Sequence, residues 1–245
     1  MQKFYRREVR AVERLDKILS QAGYSRREAK DLIAQGRVTV NGSPATKPET
    51  KLADTDAVAV DGAALARGYV YLMLHKPAGV VSATRDARER TVLDLLDDDL
   101  RRRELFPVGR LDKDVTGLLL LTDDGPLAHE LLSPKKHVDK VYRVTVEGTL
   151  DETDRAKLAA GLVLGDGLAC LPAHLELTED PAVGLLTLRE GKYHQVKRMM
   201  ASLGKPVAEL KRVAMGGLAL DEGLEPGQWR FLTAGEVVLL RGEGL

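Results

Sequence analysis

GRLDKDVTGLLLLTDDG, Gly109 to Gly125, sets a run of leucines, Leu118–Leu121, between two polar turns. An apolar run of that length, bounded by Thr116-Gly117 before it and Thr122-Asp123-Asp124-Gly125 after it, predicts a buried strand. Asp112 then lies in the loop that feeds the strand, beside Arg110, with Thr116 and Gly117 making the turn. A carboxylate held at a loop-to-core junction suits a nucleophile or a general base. Two other roles fit the same spacing. Asp112 could cap the turn or pair with Arg110, or it could join Asp114, Asp123 and Asp124 as hard oxygen ligands for Mg²⁺.

Outward from this segment, short β-prone runs (Tyr69–Leu74, Lys140–Val146, Gly184–Leu188, Val237–Leu240) intermix with helical patterns at Pro126–Leu132, Glu152–Leu158 and His194–Leu203. The absence of a regular βαβ beat predicts an α+β domain over 69–245, with a mainly antiparallel sheet and flanking helices. Gly62–Gly68, GAALARG, reads as a linker, with 63–68 joining the two parts. Ahead of it, residues 13–62 form a smaller unit. Leu15, Ile18, Leu19 and Ala22 follow helical spacing up to Gly23. Ser25 with Glu28 makes a capping box for a second helix, whose buried stripe is Ala29, Leu32 and Ile33 and which ends near Gly36. Val38–Val40, the turn Asn41-Gly42 and Ala57–Val60 supply a hairpin and a later strand. Residues 1–12 read as a basic N-terminal arm.

The 245 residues carry 37 Lys+Arg against 37 Asp+Glu. Spread evenly, that balance would argue against a nucleic-acid partner. It is not even: Met1–Arg37 holds ten basic and five acidic residues, and Arg189–Arg212 holds seven and two. Asp151–Asp180, with two basic and seven acidic, and Asp221–Leu245, with two and five, restore the sum. Two basic patches fit a polyanion, because phosphate contacts need local positive charge rather than a positive total. A lone cysteine, Cys170, excludes an internal disulfide framework. The lack of a signal-like apolar stretch and of a run of about 20 apolar residues predicts a soluble, cytoplasmic chain with no membrane association.

RLDKILSQAGYSRREAKDLIAQGRVTVNG, Arg14 to Gly42, resembles the S4 RNA-binding module. Its charges suit an RNA backbone groove, since Arg26 and Lys30 share a helix face and Arg27 and Arg37 lie close by. Gly109-Arg110-Leu111-Asp112, followed by Thr116-Gly117, resembles the active-site motif of the pseudouridine synthases, with the Thr one place later than in the plainest form. LHKPAGVVSAT (Leu74–Thr84), SPKKHVDKVYRV (Ser133–Val144) and EGKYHQVKRM (Glu190–Met199) are similar to the family's other segments, in the same order. With the S4-like unit the chain resembles the RsuA branch.

That resemblance implies Asp112 as the catalytic residue and Arg110 as the side chain that fills the space of a flipped uridine. It implies Tyr142 as the residue packing on the flipped base. It places a cation of the last segment, Lys197 by alignment or Arg198 next to it, within about 4 Å of Asp112 to keep it charged. It adds Arg14, Lys76, Lys140, Lys192, His194 and Gln195 to Arg26, Arg27, Lys30, Arg37 and Arg198 as RNA contacts. His194 on its own is a polar contact to backbone or RNA. The implied reaction needs no cofactor and no metal, and the implied substrate is 16S rRNA or a small-subunit assembly intermediate, bound by a monomer. A 23S rRNA enzyme of the same family and a non-catalytic S4-bearing assembly factor are the alternatives.

Overall fold

The computed structural model describes residues 12–53, 55–65, 68–133 and 136–242. The basic arm up to residue 11, residues 66 and 67 of the expected linker and residues 134–135 of the Ser133–Val144 segment lie outside the described residues.

The first unit is built from β1 (Glu13–Arg14), α1 (Leu15–Gln21), α2 (Arg26–Ala34), β2 (Val38–Val40), β3 (Ser43–Pro44), β4 (Lys51–Leu52), β5 (Val58–Val60) and β6 (Ala63–Ala64). The Ser25 hydroxyl accepts from the Glu28 amide while the Glu28 carboxylate accepts from the Ser25 amide, so two orphan donors at the start of α2 are satisfied reciprocally. β2 pairs with β3 through the Asn41-Gly42 turn and with β5 on its other side. Both turn residues have positive φ, 49° and 81°, the geometry that matches the twist of a two-residue hairpin. Leu15, Leu19, Ala29, Ile33, Val38 and Val58 close a small core under this sheet. Ala63–Ala64, expected in the linker, instead pairs with β5 as the last strand of the unit.

The rest of the chain forms β7 (Tyr71–Lys76), two short helical turns at Val92–Leu95 and α3 (Asp98–Arg101), β8 (Phe106–Pro107), β9 (Thr116–Thr122), α4 (Gly125–Leu132) and β10 (Lys140–Val146). Then come α5 (Glu152–Ala160), β11 (Leu162–Val163), β12 (Ala169–Cys170), β13 (His174–Leu177), β14 (Val183–Leu188), α6 (Gln195–Ser202), β15 (Val207–Met215), β16 (Leu218–Ala219), β17 (Trp229–Phe231) and α7 (Ala234–Arg241). One nine-stranded sheet runs β13-β14-β10-β15-β9-β7-β17, with β16 on β15 and β8 on β9. Every pairing in it is antiparallel except β15 with β9.

The leucine run explains the layers. Along β9, Leu119 and Leu121 point into a core shared with Leu72, Val144, Leu186 and Met199, while Leu118 and Leu120 point into one shared with Met73, Leu127, Leu131 and Val237. A strand covered on both faces has no polar positions to alternate with, hence the continuous apolar string. Helices α5 and α6 cover the first face, α4 and α7 the second.

Val237–Leu240, expected as a strand, lies inside α7. Its β-branched residues favour a strand locally, but Thr233 and Glu236 form a capping box and Val237 and Leu240 sit three apart on the buried stripe. The cap and the helical spacing win over local propensity. Arg241 at the end of α7 then reaches the Asp124 carboxylate and the Tyr71 hydroxyl, both at 2.9 Å, tying the helix to the start of α4 and to β7.

At the centre, the ladder between β9 and β15 is only two residue pairs long, Thr116 with Lys211 and Gly117 with Arg212. Gly117 has φ 106°, and a Cβ there would fall against the Arg212 carbonyl oxygen and within 2.7 Å of its amide nitrogen. The buried Arg212 side chain completes the seam by donating Nε to the Leu118 carbonyl at 2.8 Å. Gly117→Ala combines a strained left-handed φ with a backbone collision. It is expected to lower stability by at least about 2 kcal/mol in urea or guanidinium unfolding, and the prediction fails if the midpoint stays unchanged.

Candidate active site

The loop that enters β9 carries Asp112, and the segment after β7 holds that loop from three directions. Lys76 is fully buried, and its Nζ donates to the carbonyls of Val115 at 2.8 Å, Pro77 at 3.0 Å and Lys113 at 3.2 Å. The Gly79 amide donates to the Lys113 carbonyl at 2.8 Å. The Ser82 hydroxyl donates to the Leu111 carbonyl at 2.9 Å and accepts from the Leu111 amide at 3.0 Å. Asp112 is therefore bracketed by residues whose backbone atoms are pinned. Burial pushes the Lys76 ammonium down to about 8, with Asp114 and Asp112 pulling the other way. Its three donors match three carbonyl acceptors, which is how a charged group is tolerated in a core.

This overturns the expectation that Lys76 touches RNA. Its position at the end of β7, opposite Gly117 on β9, turns the side chain into the protein rather than out of it. Gln195, also expected at the RNA, is buried too. Its amide nitrogen donates to Glu190 and its oxygen accepts from the Lys192 amide at 2.9 Å, so it braces the turn into α6.

Asp112 is half-buried in the wall of an open, shallow cleft. Arg110, Tyr142, His194 and Lys197 share its walls. Arg110 is exposed at the rim. Tyr142 is nearly buried on β10, beside a register shift between Val141 and Tyr142 in the pairing with β15. The shift leaves Val213 of β15 without a partner on β10, next to the edge of the cleft. Lys197, near the start of α6, places Nζ 3.6 Å from Asp112 Oδ2 and only 2.6 and 2.7 Å from the two oxygens of Asp114. Its hydrogen bond holds the Asp114 carboxyl below the ordinary range. Lys197, rather than Arg198, is thus the cation beside Asp112, since Arg198 pairs with Asp166. His194 stands on the other side, Nε2 at 3.6 Å from Asp112 Oδ1.

Asp114 is the member that spacing did not single out for this role, having been weighed only as a metal ligand. The four-carboxylate reading does not survive the geometry. Asp123 and Asp124 lie beyond the far end of β9, paired with Arg103 and Arg241. Among the described residues no three acids, histidines or cysteines are grouped to hold a metal ion.

The other expected contacts sort by their partners. Lys140 is half-buried with Nζ on the Val138 carbonyl, its ammonium pushed down by burial and by Arg212. Lys192 pairs with Glu190 on the cleft wall. Arg14 and Arg37 form exposed pairs with Asp16 and Asp61. Arg26, Arg27 and Lys30 on α2 are exposed and enter no ion pair with another described residue. Lys76→Met, which keeps the bulk and removes the donors, is expected to cost about 2 to 4 kcal/mol. Asp112 should then reach solvent probes more readily; an unchanged denaturation midpoint would show that the three carbonyls need no ammonium.

The family model for RNA pseudouridylate synthase matches residues 70–202, and that for the S4 domain matches residues 13–58. An uncharacterized RNA pseudouridine synthase of Bacillus subtilis (strain 168) is 47% identical over 233 residues, covering 93% of this chain and 98% of the relative. Ribosomal small subunit pseudouridine synthase A of Vibrio cholerae is 44% identical over 227 residues, covering 91% and 97%. A crystal structure of a pseudouridylate synthase superposes with a TM-score of 0.67 at 38% identity, covering 93% of this chain and 99% of that one. The chain belongs to the RNA pseudouridine synthase family, as an S4-bearing member of the RsuA type.

Proposed function

We propose that this chain converts a uridine of small-subunit ribosomal RNA to pseudouridine, with Asp112 as the essential carboxylate. The observation that carries the reading is the placement of Asp112 on a braced loop in a cleft walled by Arg110, Tyr142 and Lys197. The reaction breaks the bond from ribose C1′ to uracil N1 and forms one from C1′ to C5. The C5 proton is lost and N1 gains one, so no electron leaves the molecule and no external group enters. The uridine must first leave its stack, at a cost of roughly a few kcal/mol. Arg110 at the rim fills the vacated space, and Tyr142 packs on the flipped base. Lys197, shared between Asp112 and Asp114, supplies positive charge beside the reacting carboxylate. A monomer is proposed as the working form. Among the described residues no helix is long and apolar enough to cross a membrane, in keeping with work on ribosomal RNA in the cytoplasm.

The small subunit is favoured by the Vibrio cholerae relative, whose name assigns it to that particle. Mapping pseudouridines in both ribosomal RNAs, from cells with and without the gene, tests this. A site lost from the small-subunit RNA is the expected result, and a site lost only from the large-subunit RNA would reassign the substrate. Asp112→Asn keeps the shape and removes the charge. It is expected to abolish pseudouridine formation in a small-subunit transcript, and a wild-type rate would remove Asp112 from the chemistry.

The exposed cations of α2 are proposed as the RNA anchor. Charge contacts release counterions, so affinity should fall steeply between low and physiological salt. Replacing Arg26, Arg27 and Lys30 together with alanine is expected to reduce the slope of log affinity against log salt by about 2 to 3. An unaltered slope would move the anchor off this helix.

A further inference from the structure

The turn between β14 and α6 leaves one aromatic ring in solvent beside the cleft. Tyr193 is 76% exposed, the one exposed Phe, Tyr or Trp among the described residues. Its ring lies 3.8 Å from the His194 ring with an interplanar angle of 18°, a stacked pair. His194 reaches this position through a left-handed backbone, φ 49° and ψ 33°, a conformation that costs a non-glycine residue roughly 1 to 2 kcal/mol. The same conformation brings His194 Nε2 to 3.6 Å from Asp112 Oδ1. His194 is thus part of the cleft wall, and Tyr193 extends that wall outward by one ring.

The cations of this segment do not explain the arrangement. Arg189, Lys192, Lys197 and Arg198 each pair with a carboxylate: Asp139, Glu190, Asp114 and Asp166. Beside these matched charges and the exposed Arg110, the rim presents an aromatic face open to solvent. A flat ring covered on one side and held at the mouth of a site is what a nucleobase stacks on.

We propose that Tyr193, supported by His194, is a stacking platform for the nucleobase next to the uridine that enters the Asp112 cleft. Flipping one nucleotide deprives its neighbour of a stacking partner, and the platform replaces it. Base–aromatic stacking of this kind is worth about 1 to 3 kcal/mol. The platform thereby offsets part of the cost of flipping and selects for a neighbour that stacks well. This rests on the reading of the chain as an enzyme acting on small-subunit RNA.

The test uses the full chain and a small-subunit ribosomal RNA transcript labelled with [5-³H]uridine, whose tritium is released on pseudouridine formation. Tyr193→Ala is expected to lower kcat/KM about 5- to 100-fold, chiefly through KM, and Tyr193→Phe or Tyr193→Trp to restore it. A second transcript carries 2-aminopurine beside the mapped uridine. Its fluorescence should be quenched by the wild-type protein and far less by Tyr193→Ala. Wild-type kcat/KM and quenching in Tyr193→Ala would overturn the platform, as would a Tyr193→Phe as impaired as the alanine variant. Absence of tritium release by the wild-type protein would instead overturn the enzymatic reading itself.

Discussion

A single buried ammonium holds the site together. Lys76 ends β7, has no exposure to solvent, and gathers the carbonyls of Pro77, Lys113 and Val115 around its Nζ. Taking a charge out of water is costly, and the cost is met here by hydrogen bonds to the loop that presents Asp112. With Gly79 and Ser82 adding two further clamps, the loop is fixed relative to β9 before any substrate arrives. Catalysis by positioning needs such rigidity, because a reacting group displaced by about 1 Å can lose about 100-fold in rate.

The same segment pair explains why the sheet is parallel at its centre and nowhere else. β15 joins β9 over two residue pairs, made possible by the absence of a side chain at Gly117. The short seam leaves room beside Val115, Leu210 and Tyr142 for a cleft, whose outer wall is the turn into α6. That turn is itself braced by Gln195 and Glu190, where Lys192, the Leu171 amide and Gln195 outweigh burial and hold the Glu190 carboxyl low. Fold and site are thus not separable: the residues that stitch the sheet also aim the carboxylate.

Charge is used sparingly. The balance of 37 against 37 has a structural counterpart around the cleft, where Lys192, Lys197 and Arg198 are each matched by an acid. Arg26, Arg27 and Lys30 on α2, in the S4 unit, have no acid partner among the described residues. On the proposed reading, affinity rests on α2 and chemistry on the Asp112 cleft, two separate parts of the chain.

By itself the sequence determined the elements whose signal is local. The leucine run of β9, the capping box of α2, the Asn41-Gly42 hairpin and the RLD segment are all readable because each depends on neighbours within a few residues. The strand expected at Val237–Leu240 shows the limit of that reading, since the Thr233–Glu236 cap and a helical burial stripe prevailed over β-branched composition. Only the tertiary structure decided which cation stands beside Asp112, that Asp114 shares it, and that Lys76 and Gln195 face inward. A lysine in a string of letters is equally fit for phosphate or for buried carbonyls. Its role is set by which strand lies opposite, here β9 against β7, and that pairing joins residues about forty positions apart.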